Sequence, residues 1–301
     1  MNITLTGATG LIGVRLVRAL RERGDDVTVL SRRPEGAAAR LGVEAVGWDP
    51  QAGPAPEPAL AGRDAVVHLA GEPVAQRWNA DVKRRIRDSR ETGTRNLVAG
   101  IEALAERPRV LVSSSAVGYY GKHGDEPLPE STPPGDDFLA TVCVAWEREA
   151  LRAQELGLRV AIIRTGVVLD AQRGALAKML LPFRLGVGGP VAGGDQYMPW
   201  IHVDDLVGLY LAALDGDDWS GPLNGTAPEP VTNAAFSKAL GRALHRPSFA
   251  PVPGFAVKLL YGDMSEIVTE GQRAVPERPQ ALGFAYAHPD LDEALRSALK
   301  G

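Results

Sequence analysis

The sequence predicts an α/β fold, a doubly wound parallel sheet followed by a smaller C-terminal lobe, and three observations carry that prediction. Short apolar runs alternate with helix-length amphipathic segments through the first half of the chain. A glycine-spaced turn lies between the first apolar run and the first helical segment. After residue 163 the alternation stops, and Gly- and Pro-rich stretches lead into C-terminal helical segments.

The strand candidates are residues 3–5, 27–30, 43–46, 65–69, 110–113 and 160–163. Each is short and apolar on both parities, as strands covered on both faces require. Residues 11–23 place Ile12, Leu16, Val17 and Leu20 at helical spacing, residues 89–104 do the same with Leu97, Ile101 and Leu104, and residues 138–156 supply a third helix. The expected sheet order is 3-2-1-4-5-6, that of the doubly wound dinucleotide-binding fold. Residues 182–200 read as a long loop near the cleft, and residues 250–254 (APVPG) as a linker. The predicted division is a nucleotide-binding domain over residues 1–168, rejoined around 200–226. Residues 169–301 are mainly a substrate lobe, with a helical extension from about 250 to 301.

Composition narrows the function. The 301 residues are 45% hydrophobic and 23% charged, ordinary for a globular chain. A formal charge of -4 provides no basic footprint for nucleic acid. No apolar run reaches membrane-span length, and the N-terminal residues lack the basic region of a signal peptide, so a cytoplasmic protein is expected. One cysteine, Cys143, excludes an intramolecular disulfide, and the histidines show no HxH or HExxH spacing, so no metal site is expected. The expected partner is a small-molecule substrate, with a homodimer possible through the helices after the fourth and fifth strands.

The turn reads Thr6-Gly7-Ala8-Thr9-Gly10-Leu11-Ile12-Gly13. A pyrophosphate requires backbone N–H donors at a helix N-terminus with no side chains in the way. Gly7 makes the tight turn, Gly10 admits the phosphate and Gly13 lets helix and strand pack closely; Thr9, Leu11 and Ile12 complete the contacting stretch. This strand–turn–helix context predicts a Rossmann dinucleotide site. Ser31, Arg32 and Arg33 follow the second strand, where NAD binders usually carry a carboxylate. Forked guanidinium donors suit a 2′-phosphate, so the expected cofactor is NADP(H); the alternative is that both arginines are solvated surface charges. Asp25 and Asp26 lie at the wrong end of that strand. Asp49 is assigned either to the adenine or to a turn.

With these residues in view the chain resembles the extended short-chain dehydrogenase/reductases, which include the sugar-nucleotide epimerases and dehydratases. The resemblance rests on His68-Leu69-Ala70-Gly71, Ser113-Ser114-Ser115 and Trp200-Ile201-His202-Val203-Asp204-Asp205. More narrowly it resembles the "epimerase family" subgroup with a distinctive C-terminal extension. That match runs through Ala70-Gly71-Glu72-Pro73, Arg77-Trp78, Ser115-Ala116-Val117-Gly118-Tyr119-Tyr120-Gly121, Arg164-Thr165-Gly166-Val167 and Gly271-Gln272-Arg273 to Leu282-Gly283-Phe284. It implies that Leu69, Ala70, Gly71 and Ser113 line the cofactor, that Ser115 faces the substrate, and that Arg164 and Val167 stand at the nicotinamide end. It also implies structural roles for His202 and Asp204.

The chain departs from the broader family where proton transfer would occur. Active members carry Tyr-x-x-x-Lys one helical turn apart, the lysine lowering the tyrosine pKa. Here the helix reads Cys143-Val144-Ala145-Trp146-Glu147, with Cys143 at the tyrosine position and Glu147 at the lysine position. Cys143 is either a proton shuttle, which Glu147 would oppose, or a small buried side chain. Tyr119 and Tyr120 are alternative acids or walls of the nicotinamide pocket. Arg164 meets either an anion at the crevice or an interior carboxylate, and Arg77, Trp78 and Lys83 either face an anionic substrate or form a surface helix. Two functions fit: an NADP(H)-dependent, epimerase-like oxidoreductase with Ser115 orienting the substrate, or a non-catalytic NADP(H) sensor.

Overall fold

Residues apolar on both parities bury both faces of a strand; all six expected runs lie in one sheet, and all but residues 43–46, an edge strand left half-exposed, bury both faces. The protein is described by a computed structural model covering residues 1–300. The central strands are β1 (Asn2–Thr6), β2 (Asp26–Ser31), β3 (Glu44–Gly47), β4 (Ala65–His68), β5 (Val110–Ala116), β6 (Arg159–Thr165) and β7 (Gly221–Gly225). They form a parallel seven-stranded sheet ordered 3-2-1-4-5-6-7, the expected order extended by one edge strand. β7 reads GPLNG; glycine and proline weaken the strand signal, and an edge tolerates them because proline lacks the ladder N–H.

The helices used below are α1 (Leu11–Glu22), α2 (Pro34–Leu41), α3 (Ala80–Glu102), α4 (Phe138–Leu151), α5 (Gly174–Arg184), α6 (Val203–Asp215), α7 (Asn233–Leu244) and α8 (Leu291–Ala298). Alternate strand residues split between two cores, as strand pleating demands. Ile3, Leu5, Val112 and Ile163 pack with Leu16 and Leu20 of α1 and with Leu206 and Tyr210 of α6. Leu111, Val160 and Ile162 pack on the other face with Leu97 and Ile101 of α3 and Ala150 of α4. A third cluster joins Leu176, Leu180, Trp200, Phe236 and Leu295 from α5, α7, α8 and the strand before α6.

Helix α3 begins nine residues before the expected position. Asn79 caps it by accepting the Val82 amide at 2.8 Å, and Val82 and Ile86 give its charged first turns a buried stripe. Residues 182–200 are not one loop: α5 runs to Arg184 with Pro182 inside it. Tyr197–Met198 pairs antiparallel with Val231–Thr232, and Trp200–His202 pairs parallel with Val167–Leu169. None of residues 182–200 lines the cleft described next; the start of α5 is what reaches the glycine turn, through Arg173. Among the described residues, no helix is long and apolar enough to cross a membrane.

Candidate functional site

A cleft of about 830 Å³ opens where β1, β2 and β4 end. Gly7 adopts φ +69°, the left-handed region that glycine enters without penalty, and a Cβ there would stand 2.6 Å from the Leu69 carbonyl carbon. A Cβ at Gly13 would stand 2.5 Å from the Gly7 oxygen, so this glycine sets the approach of α1 to the turn. Gly10 is the N-cap and provides no side-chain cap, and the first amide in the helical ladder to find an acceptor is that of Val14. The amides of Leu11, Ile12 and Gly13 therefore sit at an uncapped, positively polarised helix end.

Around this end the chain gathers cations. Arg32 and Arg33 are exposed on the cleft wall, and Ser31 accepts the Arg33 amide at 3.1 Å, fixing the bend that presents them. Arg40 and Arg173 reach the Thr9 carbonyl at 3.3 and 3.2 Å. Asp25 pairs with Arg23 at the opposite end of β2. Leu69, Ala70 and Gly71 form the facing wall. The cradle fits a dinucleotide phosphate: backbone donors, an approach free of side chains, and arginines at the end of β2.

Asp49 does not line the cleft; it is exposed and closes a turn by accepting the Gln51 amide at 3.0 Å. Its neighbours Trp48 and Pro50 supply the wall. Ser113 is fully buried in β5 and donates to the Ser114 carbonyl, and Val167 donates its amide to the Pro199 carbonyl at 2.7 Å; neither borders the cleft.

The residues assigned to chemistry form a second, interior cluster. Ser115 Oγ donates to Glu147 Oε1 at 2.6 Å, and Arg164 forks onto the same carboxylate at 2.9 and 2.8 Å. Arg164 Nη1 also donates to Tyr120 Oη and to the Glu130 carbonyl, both at 3.1 Å. Its guanidinium lies 3.4 Å from the Tyr119 ring centre. Burial alone would lower the Arg164 pKa, but the hydrogen bonds and charge of Glu147 outweigh it and raise the value. Arg164, at 3% exposure, is thus held by the interior carboxylate instead of offering its charge to a ligand.

Cys143 is 3% exposed, and burial, reinforced by the negative charge of Glu147, pushes its pKa up to about 12. Tyr120 is fully buried, donates to Asn224 Oδ1 at 2.7 Å, and is raised by burial to about 12. Tyr119 is half-buried, packed edge-to-face on Tyr120. Neither Cys143 nor Tyr120 titrates near neutrality. Trp78 packs on Phe138, and Lys83 is paired with Asp263 at 2.7 Å. His202 caps α6 by accepting the Asp204 amide, and with Asp204 and His288 it gathers three potential ligand atoms within 4.8 Å of one another.

Several side chains at this site escaped the sequence reading, Arg40, Arg173 and Pro50 among them, and Trp48 and Arg90 show why. Trp48 follows β3 and reaches the cleft through tertiary packing. Arg90, on α3, lies against Gly71 and holds the Glu72 carbonyl at 3.0 Å. A lone arginine on a helix rich in charged residues carries no local signal.

The family model described as the NAD dependent epimerase/dehydratase family matches residues 3–222, and a domain of unknown function, DUF1731, matches residues 252–298. The chain is 42% identical over 311 residues to the chloroplastic SDR39U1 homolog of Arabidopsis thaliana, covering 100% of this chain and 87% of that protein. It is 38% identical to human epimerase family protein SDR39U1, covering 98% of this chain and 99% of that one. The crystal structure of human SDR39U1 (isoform 2) with NADPH covers 100% of both chains at 34% identity and a TM-score of 0.89. UDP-glucuronic acid 4-epimerase from Bacillus cereus shares the fold, with a TM-score of 0.80 at 16% identity.

Proposed function

The chain belongs to the NAD-dependent epimerase/dehydratase family, and on that premise we propose that it binds NADP(H) and acts as an epimerase-like oxidoreductase on a small hydroxyl- or carbonyl-bearing molecule. One observation carries the reading: the Gly7–Gly10 turn that leads into the uncapped start of α1 and the pair Arg32 and Arg33 border one cleft. The amides suit a pyrophosphate and the arginines suit a 2′-phosphate. The NADPH in the human relative's crystal structure supports the same choice of cofactor. When bound, the nicotinamide supplies a hydride acceptor or donor at C4.

The protein's own residues hold the substrate. Ser115 Oγ donates to Glu147, which leaves its lone pairs free to accept from a substrate hydroxyl and orient it. Arg164 keeps Glu147 in place. Tyr119 walls the pocket, while Cys143 stays a thiol. The proton therefore comes from a group other than the usual Tyr-x-x-x-Lys pair. We take the protein as cytoplasmic and as a homodimer paired through α3 and α4.

The test is direct. NADPH-loaded protein mixed with a panel of small aldehydes and ketones should lose the absorbance of the reduced nicotinamide. Intact NADPH binding with no oxidation by any carbonyl compound would remove the enzyme reading and leave a non-catalytic NADP(H) sensor. The locked Cys143 and Tyr120 favour that second reading.

A further inference from the structure

The cluster beside the cleft contains two arginines in opposite electrostatic situations. Arg164 is fully engaged by Glu147. Arg90 has no carboxylate within ion-pair reach among the described residues, and only its Nη1 is engaged, by the Glu72 carbonyl at 3.0 Å, the Ile86 carbonyl at 3.2 Å and Ser89 Oγ at 3.5 Å. Its guanidinium carbon would lie 3.2 Å from a Cβ on Gly71, a residue of the cleft wall. On its other side it lies 5.0 Å from the ring centre of Trp146, one turn from Cys143. Trp146 Nε1 is itself a buried donor with no acceptor among the described residues. Burial lowers the Arg90 pKa, the mark of a poorly solvated cation.

A partly buried guanidinium with two unengaged nitrogens, beside an unpaired indole N–H, is a donor set without an acceptor. A buried donor such as the Trp146 indole N–H is costly unless something completes it, and a planar oxyanion matches the half-buried guanidinium fork beside it. We propose that Arg90 is a substrate-binding residue that receives a carboxylate or phosphate group, so that the substrate is an anionic hydroxyl or carbonyl compound. Gly71 is what permits this: any larger residue would press on the guanidinium. The position, between the cofactor wall and the helix carrying Cys143 and Glu147, sets the anion beside the carbon that Ser115 orients. This inference rests on the NADP(H) reading for the identity of the reaction, but not for the anion site itself.

The experiment is calorimetric titration of malonate and of inorganic phosphate into the protein, with and without saturating NADP⁺, for the wild type, Arg90→Gln and Arg90→Lys. The wild type should bind at least one anion. Arg90→Gln should weaken that binding roughly tenfold or more, as loss of a charge-assisted pair does, and Arg90→Lys should fall between them. The Kd for NADP⁺ should stay within about twofold. If Arg90→Gln is unstable because the Glu72 and Ile86 carbonyls lose their tie, Arg90→Lys carries the comparison. Unchanged anion binding in the variants, or none in the wild type, overturns the proposal. So does a loss of NADP⁺ affinity equal to the loss of anion affinity, which would assign Arg90 to the cofactor's own phosphates. Failure of NADP⁺ binding in the wild type would count against the proposed function instead, and the titration without NADP⁺ would still test Arg90.

Discussion

Glu147 stands where a lysine would serve the chemistry of the broader family, and its contacts explain why the ordinary pair cannot simply be reinstated. Its carboxylate is the counter-ion of Arg164, and both are buried. A lysine there would place two cations together in a desolvated site, so the Cys143 and Glu147 positions are coupled to a third residue. Removing the charge alone is informative. Glu147→Gln keeps the shape but strands Arg164, and breaking a buried pair in this way costs about 3–5 kcal/mol. Urea unfolding should show a fall of that order in stability; a change under about 1 kcal/mol would mean that Arg164 finds another partner.

At the scale of elements, His68 ties β4 to β1 and α3. Its Nδ1 meets Thr6 Oγ1 at 2.7 Å and its Nε2 meets Thr94 Oγ1 at 3.0 Å, all fully buried. Burial, aided by the positive charge of Arg90, lowers its pKa from 6.5 to about 4. A base with a depressed folded pKa contributes its stability above the unfolded value and loses it as pH falls through the folded one. Stability should therefore decline from about pH 6.5 to about pH 4, by on the order of 3 kcal/mol from this group. His202 acts in the same window, its pKa also lowered to about 4 by burial and by His288. Chemical unfolding across that range checks it: His68→Asn should flatten the slope, and an unchanged slope would exclude His68 as its source. The elements themselves were largely readable, because strands buried on both faces announce themselves as unbroken apolar runs. The misses have physical causes. The edge strand β7 lacks that run, and the first turns of α3 bury only Val82 and Ile86 in a charged stretch.

Over the whole molecule, a net charge of -4 conceals a cationic cleft, built by arginines from the end of β2, from α2 and from the start of α5. Local placement governs ligand choice here, not the total charge. The C-terminal segment is fastened to α6, where Asp205 accepts the Ala287 and His288 amides at 2.7 and 3.0 Å. The phosphate half of the candidate site was legible because it is contiguous in sequence: one turn, one helix start, one strand end. The chemical half was not. Whether Arg164 meets a ligand or Glu147 depends on how β6 faces α4, and Arg90 reaches the wall only because Gly71 leaves room.

The cleft's choice of NADP(H) over NAD(H) is read directly by fluorescence titration with NADPH and with NADH. NADPH should bind roughly tenfold or more tightly than NADH, and Arg32→Ala should erase the difference by weakening NADPH alone. NADH binding as well as or better than NADPH, or no binding of either, would contradict it.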